Sequence, residues 1–218
     1  MKARKLFLII AMLVACFVSK AETGDRFPFK NSHKVTFSNY AFKLTEKGFY
    51  LNPIQAFDLG YMCVAEPYDS RFYAEIGANF MFAYGYVSRE RALGVEGSVF
   101  MNMFSMNIPF NFGYKIEFEN GISLSPYIGV YQRVNLAGNL KVGVSVVNDN
   151  DELELMKIRM KLFAKDGVGI KRHQVGVLGG LKLNYNKFSY GVTYGYDFLE
   201  FDKSKNVMTW GLNFGYTF

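Results

Sequence analysis

Large apolar residues fall on every second position through most of this chain beyond residue 70. In RFYAEIGANFMFAYGY (71–86), Phe72, Ala74, Ile76, Ala78, Phe80, Phe82 and Tyr84 form one set. In NIPFNFGYKIEF (107–118), Ile108, Phe110, Phe112, Tyr114, Ile116 and Phe118 alternate with Asn107, Pro109, Asn111, Gly113, Lys115 and Glu117. The pattern returns as Phe188, Tyr190, Val192, Tyr194, Tyr196 and Phe198, and as Val175, Val177, Leu181 and Leu183. It closes the sequence with Trp210, Leu212, Phe214, Tyr216 and Phe218, separated by Gly211, Asn213, Gly215 and Thr217. A period of two is that of a strand, not of a helix.

Several of these runs pass ten residues, whereas globular strands average about five or six. A strand tilted by about 45° needs about 9–11 residues to cross a bilayer. The intervening positions are mostly Gly, Ser, Thr and Asn with isolated charges, and the large-residue set carries almost none. Lipid outside and a polar, filled interior account for both sets. The pattern predicts an all-β, eight-stranded antiparallel up-and-down transmembrane β-barrel. Its strands fall near 35–44, 49–64, 71–86, 101–118, 123–137, 170–184, 187–200 and 206–218. The first two are ragged, and Pro53 falls inside the second.

The connections follow the same plan. Short turns fall near 65–70, at Glu119-Asn120-Gly121 and at Asn184-Tyr185-Asn186-Lys187, and Asn-Gly is a hairpin signal. Longer connections, at 45–48, 87–100, 138–169 and 201–205, all land on the opposite side, the asymmetry of outer-membrane barrels. Within the third, DELELMKIRMKLFAKDG (151–167) reads either as a short helix or as alternation. Paired with KVGVSVV (141–147), it would be a hairpin above the membrane. A ten-stranded barrel, with 141–163 as the extra hairpin, is the alternative.

Charge and cysteine content change the picture at the N-terminus. Lys2, Arg4 and Lys5 precede an apolar run from Leu6 to Val18, and Ser19-Lys20-Ala21 supplies small residues two apart. That order is a secretory signal peptide, residues 1–21, with a periplasmic lead at 22–34 and the barrel at 35–218. Leu13-Val14-Ala15-Cys16 also reads as a lipobox, with Cys16 as an acylated new terminus. Without residues 1–21 the 25 basic residues become 21 against 19 acidic, so the formal +6 falls to about +2. No basic run interleaved with aromatics suggests a nucleic-acid partner. Cys63 is then the only thiol, which leaves no intrachain disulfide and no Cys-rich zinc site. No later stretch is apolar for 18 residues, so no helical span is expected. No cofactor or metal motif is present.

Asp58, Glu75, Lys115, Glu117, Arg133, Lys182 and Asp197 fall on the predicted inner face, as do Tyr127 and Tyr131. Mixed signs in a narrow lumen pair with one another, because an unpaired buried charge is expensive. They form either an internal salt-bridge plug or an ion path, and a barrel of eight strands is just wide enough to be filled by its own side chains. His173, near the outer rim, with Ser98, Ser145, Glu96 and Asp149 in the outer loops, are the residues a catalytic site would need within hydrogen-bond reach. A solvated rim histidine is the simpler reading.

On NIPFNFGYKI, SPYIGVY (125–131) and the run from His173 to the end, the chain resembles the bacterial outer-membrane protein β-barrel domain family. That family is often labelled porin-family and is related in shape to OmpA/OmpX-type eight-stranded barrels. The resemblance implies that Trp210, Leu212, Phe214, Tyr216 and Phe218 form the insertion signal read by the barrel-assembly machinery. It also implies outer-membrane lipids as surroundings and an exported, outer-membrane location. The expected role is non-enzymatic, structural or surface-interacting, with a possible extracellular partner at loops 87–100 and 138–169. A small passive porin-like channel and a lipid-modifying enzyme are the alternatives. A soluble lipocalin-like barrel would bury its aromatics inward instead.

Overall fold

Alternating side chains send every strand's large residues one way and its small or polar residues the other, so a sheet of such strands closes around the polar set. The computed structural model describes residues 29–45, 52–92, 95–147, 153–163, 171–198 and 206–218. Its strands are β1 (Phe29–Thr45), β2 (Ile54–Pro67), β3 (Phe72–Ala92), β4 (Val95–Tyr114) and β5 (Ile116–Glu117). They continue with β6 (Ile122–Val147), β7 (Leu153–Lys161), β8 (His173–Tyr185), β9 (Phe188–Asp197) and β10 (Asn206–Thr217). Among the described residues, eight of these form a closed antiparallel wall: β1, β2, β3, β4, β6, β8, β9 and β10. The ring shuts where β1 pairs with β10, from Lys34 opposite Thr217 to Thr45 opposite Asn206.

β5 and β7 stand outside that ring. Among the described residues, β5 pairs only with Leu124 and Ser123, and β7 only with the upper part of β6. The predicted eight-stranded wall and the predicted hairpin over 141–163 are therefore both present, but the hairpin rises above the wall instead of entering it. The stretches expected as loops at 87–100 and 138–169 are largely strand. β3 runs on to Ala92, β4 begins at Val95, and β6 continues to Val147. Together with β7 they make a four-stranded antiparallel sheet beyond the barrel rim. The reason is register. Val87 and Leu136 each occupy a bulge, which shifts the phase of the strand above it by one residue. Alternation read straight through those points breaks down, and the sequence looks like a loop.

The first strand also starts earlier than expected. β1 begins at Phe29, inside the segment predicted as a periplasmic lead, because Asn31, Ser32 and His33 hide an alternation that the backbone pairing with β2 preserves. Pro53 does not interrupt β2; it stands just before it, where a missing N–H costs no ladder bond. The turns close as predicted, with Asn120 and Gly121 at φ 72° and 73° and Asn186 at φ 53°. The predicted signal peptide with Cys16, residues 22–28, 46–48 and 201–205, and Asp149 lie outside the described residues.

Outside, the wall is aromatic and aliphatic. Ile128 is 71% exposed and Leu212 67%, and the same face carries Phe80, Phe104, Phe110, Phe112, Tyr190 and Tyr194. Rings stack across strands, Phe80 on Phe104 at 6.0 Å and Phe72 on Phe112 at 5.4 Å. The terminal set Trp210, Leu212, Phe214, Tyr216 and Phe218 lies on this outer face.

Candidate functional site: the filled lumen and the projecting sheet

Inside the wall the side chains fill the bore in two storeys. The lower storey, toward the short turns, is polar. Glu75 of β3 accepts from two ammonium groups, Lys34 Nζ of β1 at 2.9 Å and Lys182 Nζ of β8. Asn111 Nδ2 donates to the same carboxylate at 3.2 Å. Beside it Tyr127, Thr193 and Asn213 hydrogen-bond to one another. Higher up, Arg133 NH1 pairs with Asp197 Oδ2 at 3.0 Å, and Tyr131 donates its hydroxyl proton to Asp197 Oδ1. The Arg133 guanidinium also lies 5.2 Å from the ring centres of Phe42 and Tyr131. Asn79 Nδ2 donates to Asp58 Oδ2 at 3.4 Å, and Asp58 stands opposite Ser38 in the ladder.

Six charged side chains are thus buried among the described residues: Lys34, Arg133 and Lys182 against Asp58, Glu75 and Asp197. The signs balance, which a low-dielectric interior requires. Strand phase alone sends five of them inward; Lys34 lies in the segment that the sequence pattern gives to the periplasmic lead. Two others belong elsewhere. The wall strand β4 ends at Tyr114, so Lys115 sits at the turn end, half-buried against Glu66. Glu117 is exposed on β5, below the wall. Tyr127 and Tyr131 are buried in the bore.

The tyrosines occupy space that glycines leave. Tyr40, Tyr73, Tyr127 and Tyr131 stand directly opposite Gly211, Gly113, Gly180 and Gly176 in the ladders. A Cβ at Gly113 would lie 2.4 Å from the Tyr73 ring, and one at Gly176 2.5 Å from that of Tyr131. Each tyrosine side chain occupies the space beside the opposite glycine, which lets large aromatics fill a narrow bore. A cavity of about 90 Å³ remains among Lys34, Asp58, Glu75, Asn79, Arg133 and Lys182.

The upper storey is apolar. Phe42, Ile54, Met81, Met101, Met103 and Val207 meet in one fully buried cluster across the mouth. Leu162, just after β7, completes it, held by its N–H to the Gly138 carbonyl at 3.1 Å. The hairpin that rises from the wall thus returns a side chain into the mouth. No sequence signal marked Leu162 for this role, since its partners come from five different strands.

Among the described residues considered for catalysis, His173 stands apart from Ser98 and Ser145. His173 is exposed and opposite Val134 at the rim, Ser98 is opposite Gly143, and Ser145 is opposite Glu96. Nine to eleven residues of β6 separate these levels, about 30 Å at strand rise. Among the described residues no group of three His, Cys, Asp or Glu side chains is placed to hold a metal.

A closed eight-stranded wall, apolar outside and hydrogen-bonded inside, defines a transmembrane β-barrel. No family model matches the chain, and no curated protein matches it. Solved structures of similar shape include the attachment invasion locus protein Ail of Yersinia pestis, determined with the heparin analogue sucrose octasulfate. It has a TM-score of 0.43 and 17% identity over 87% of this chain and 99% of that one. Neisserial surface protein A has a TM-score of 0.43 and 13% identity over 86% and 97%. A major outer membrane protein from Thermus thermophilus has a TM-score of 0.36 and 16% identity over 85% and 99%.

Proposed function

We propose that the protein is an outer-membrane barrel without enzymatic activity, whose lumen is closed and whose work is done by the sheet that projects beyond the rim. The observation that carries this reading is the double closure of the bore. A paired polar storey and an apolar storey lie one above the other, so an ion would have to displace both. The barrel is then an anchor. The short turns, the start of β1 and the end of β10 face the periplasm, and the projecting sheet faces outward, where it is available to an extracellular partner. The outer set from Trp210 to Phe218 serves the barrel-assembly machinery during insertion and outer-membrane lipids afterwards.

The test is conductance across a planar bilayer. Refolded protein, shown to be folded by a heat-dependent shift on an SDS gel, is expected to stay silent. Reproducible single-channel steps from folded protein would overturn the closed-lumen reading and make Lys34, Glu75 and Lys182 selectivity residues of a small channel.

A further inference from the structure

The projecting sheet has two unlike faces. On the face continuous with the lumen stand Val99, Leu140, Val142, Val144 and Ile158. The other face continues the outer wall, and there the residues are cationic. Lys141 is opposite both Phe100 and Arg159, Lys161 is opposite Asn139, and Lys157 is opposite Gly143, which has no side chain to cover it. Side-chain contacts tie this face together across three strands. Asn139 Nδ2 donates to Asn102 Oδ1 at 3.3 Å, Arg159 Nε donates to Asn139 Oδ1 at 3.3 Å, and Lys141 Nζ lies 5.7 Å from the centre of the Phe100 ring. Lys141, Lys157, Arg159 and Lys161 are all exposed, and no ion pair engages them among the described residues. Glu96 is the one acid at a register position on this face of the described strands, opposite Ser145 and farther from the wall.

Height decides what this face meets. A strand tilted by about 40° climbs about 2.5 Å per residue, so an apolar band about 25 Å tall spans about ten residues. Counted up β4 from Tyr114, that band ends near Phe104, which is exposed on the outer face. Asn102, with Asn139 and Lys161 beside it, is two residues higher, about 5 Å above the hydrocarbon edge and in the headgroup zone; Phe100, with Lys141 and Arg159 beside it, is about 10 Å above that edge, from where long cationic side chains reach back down. Below the cations the same face is aromatic and lipid-facing. A soluble polyanion would use the cations alone, whereas a lipid uses both levels at once.

We propose that Lys141, Lys157, Arg159 and Lys161 bind the phosphate groups of an anionic outer-leaflet glycolipid whose acyl chains lie against the wall at Phe104. The inference rests on the outer-membrane orientation given above. The arrangement supplies charge-assisted hydrogen bonds at the depth where the phosphates sit, and the apolar wall beneath holds the chains.

The experiment compares refolded wild type with the triple variant Lys157→Gln/Arg159→Gln/Lys161→Gln in phosphatidylcholine nanodiscs. The discs carry bisphosphorylated lipid A or its dephosphorylated form, and lipid A retained by the protein is measured by native mass spectrometry. These substitutions are on an exposed surface, and the heat-dependent shift checks that the variant folds. Wild type is expected to retain bisphosphorylated lipid A about tenfold or more better than either the dephosphorylated form or the variant does, the scale set by several cation–phosphate contacts. Equal retention by folded variant and wild type would overturn the proposal, as would indifference to the phosphates. So would tight binding of sucrose octasulfate by wild type in neutral micelles that displaces no lipid A in discs, which would assign the face to a soluble polyanion. A wild type that shows no heat-dependent shift would instead remove the folded barrel, and the proposal with it.

Discussion

Glu75 is the residue on which the lower storey depends. Its carboxylate is the common partner of Lys34 and Lys182, both buried. Glu75→Gln leaves two ammonium groups facing one another without a counter-charge, and breaking a buried pair in this way costs about 3–5 kcal/mol. Urea unfolding followed by the fluorescence of the single tryptophan, Trp210, should read a loss of that size. The triple change Lys34→Met/Glu75→Leu/Lys182→Met should recover most of it, because no charge then remains to desolvate. Gly176 makes a second residue-scale case. Gly176→Ala puts a Cβ 2.5 Å from the Tyr131 ring and 2.5 Å from the Tyr196 carbonyl oxygen, and that carbonyl is fixed in the β8–β9 ladder. The expected cost is about 1–3 kcal/mol. Gly179→Ala, on the outer face with nothing nearer than 3.5 Å, should cost far less in the same assay.

Among the elements, the β6–β7 hairpin and the wall are separable. Below the rim β6 is held on both sides, by β4 as far as Ala137 and by β8 as far as Val134. β7 contributes nothing to the ring itself. Deletion of 145–166 is therefore expected to leave a barrel that still shows the heat-dependent gel shift. It removes Leu162 from the apolar storey, yet the paired storey beneath persists, so the deletion protein should remain silent in a planar bilayer. Loss of the shift would mean that the hairpin is needed for closure of the wall. The long strands of the barrel, β3, β4, β8 and β10, were legible because each repeats one side-chain choice over many positions. Of the projecting sheet, the hairpin over 141–163 was legible beside a helical reading, but the strands over 87–100 were not, because bulges at Val87 and Leu136 reverse the phase just where the chain leaves the membrane zone. Above that level no lipid enforces large residues on one face, and valine, lysine and serine alternate too weakly to be told from a loop.

For the whole molecule, closure of the lumen follows from size and balance together. A wall of eight strands encloses room for side chains and little more. Among the described residues, the three buried acids within it are matched in number by three buried bases. The silent bilayer expected above is thus a property of the assembled bore, not of any one residue. What the sequence determined by itself was the wall: period two, strand length, short turns on one side and large apolar residues facing outward. Those are local properties, written in the order of neighbours along the chain. It also marked most of the inward charges, since phase alone sends Asp58, Glu75, Arg133, Lys182 and Asp197 to one side. It could not say which would pair, because Glu75 meets Lys34 and Lys182 only when strands 41 and 107 residues apart close the ring. Nor could it place Leu162 in the mouth, set Lys141 beside Arg159 on one outer face, or bring each lumen tyrosine over its glycine. Those contacts are cross-strand, and only the tertiary structure, through register and closure, decides which residues stand opposite one another.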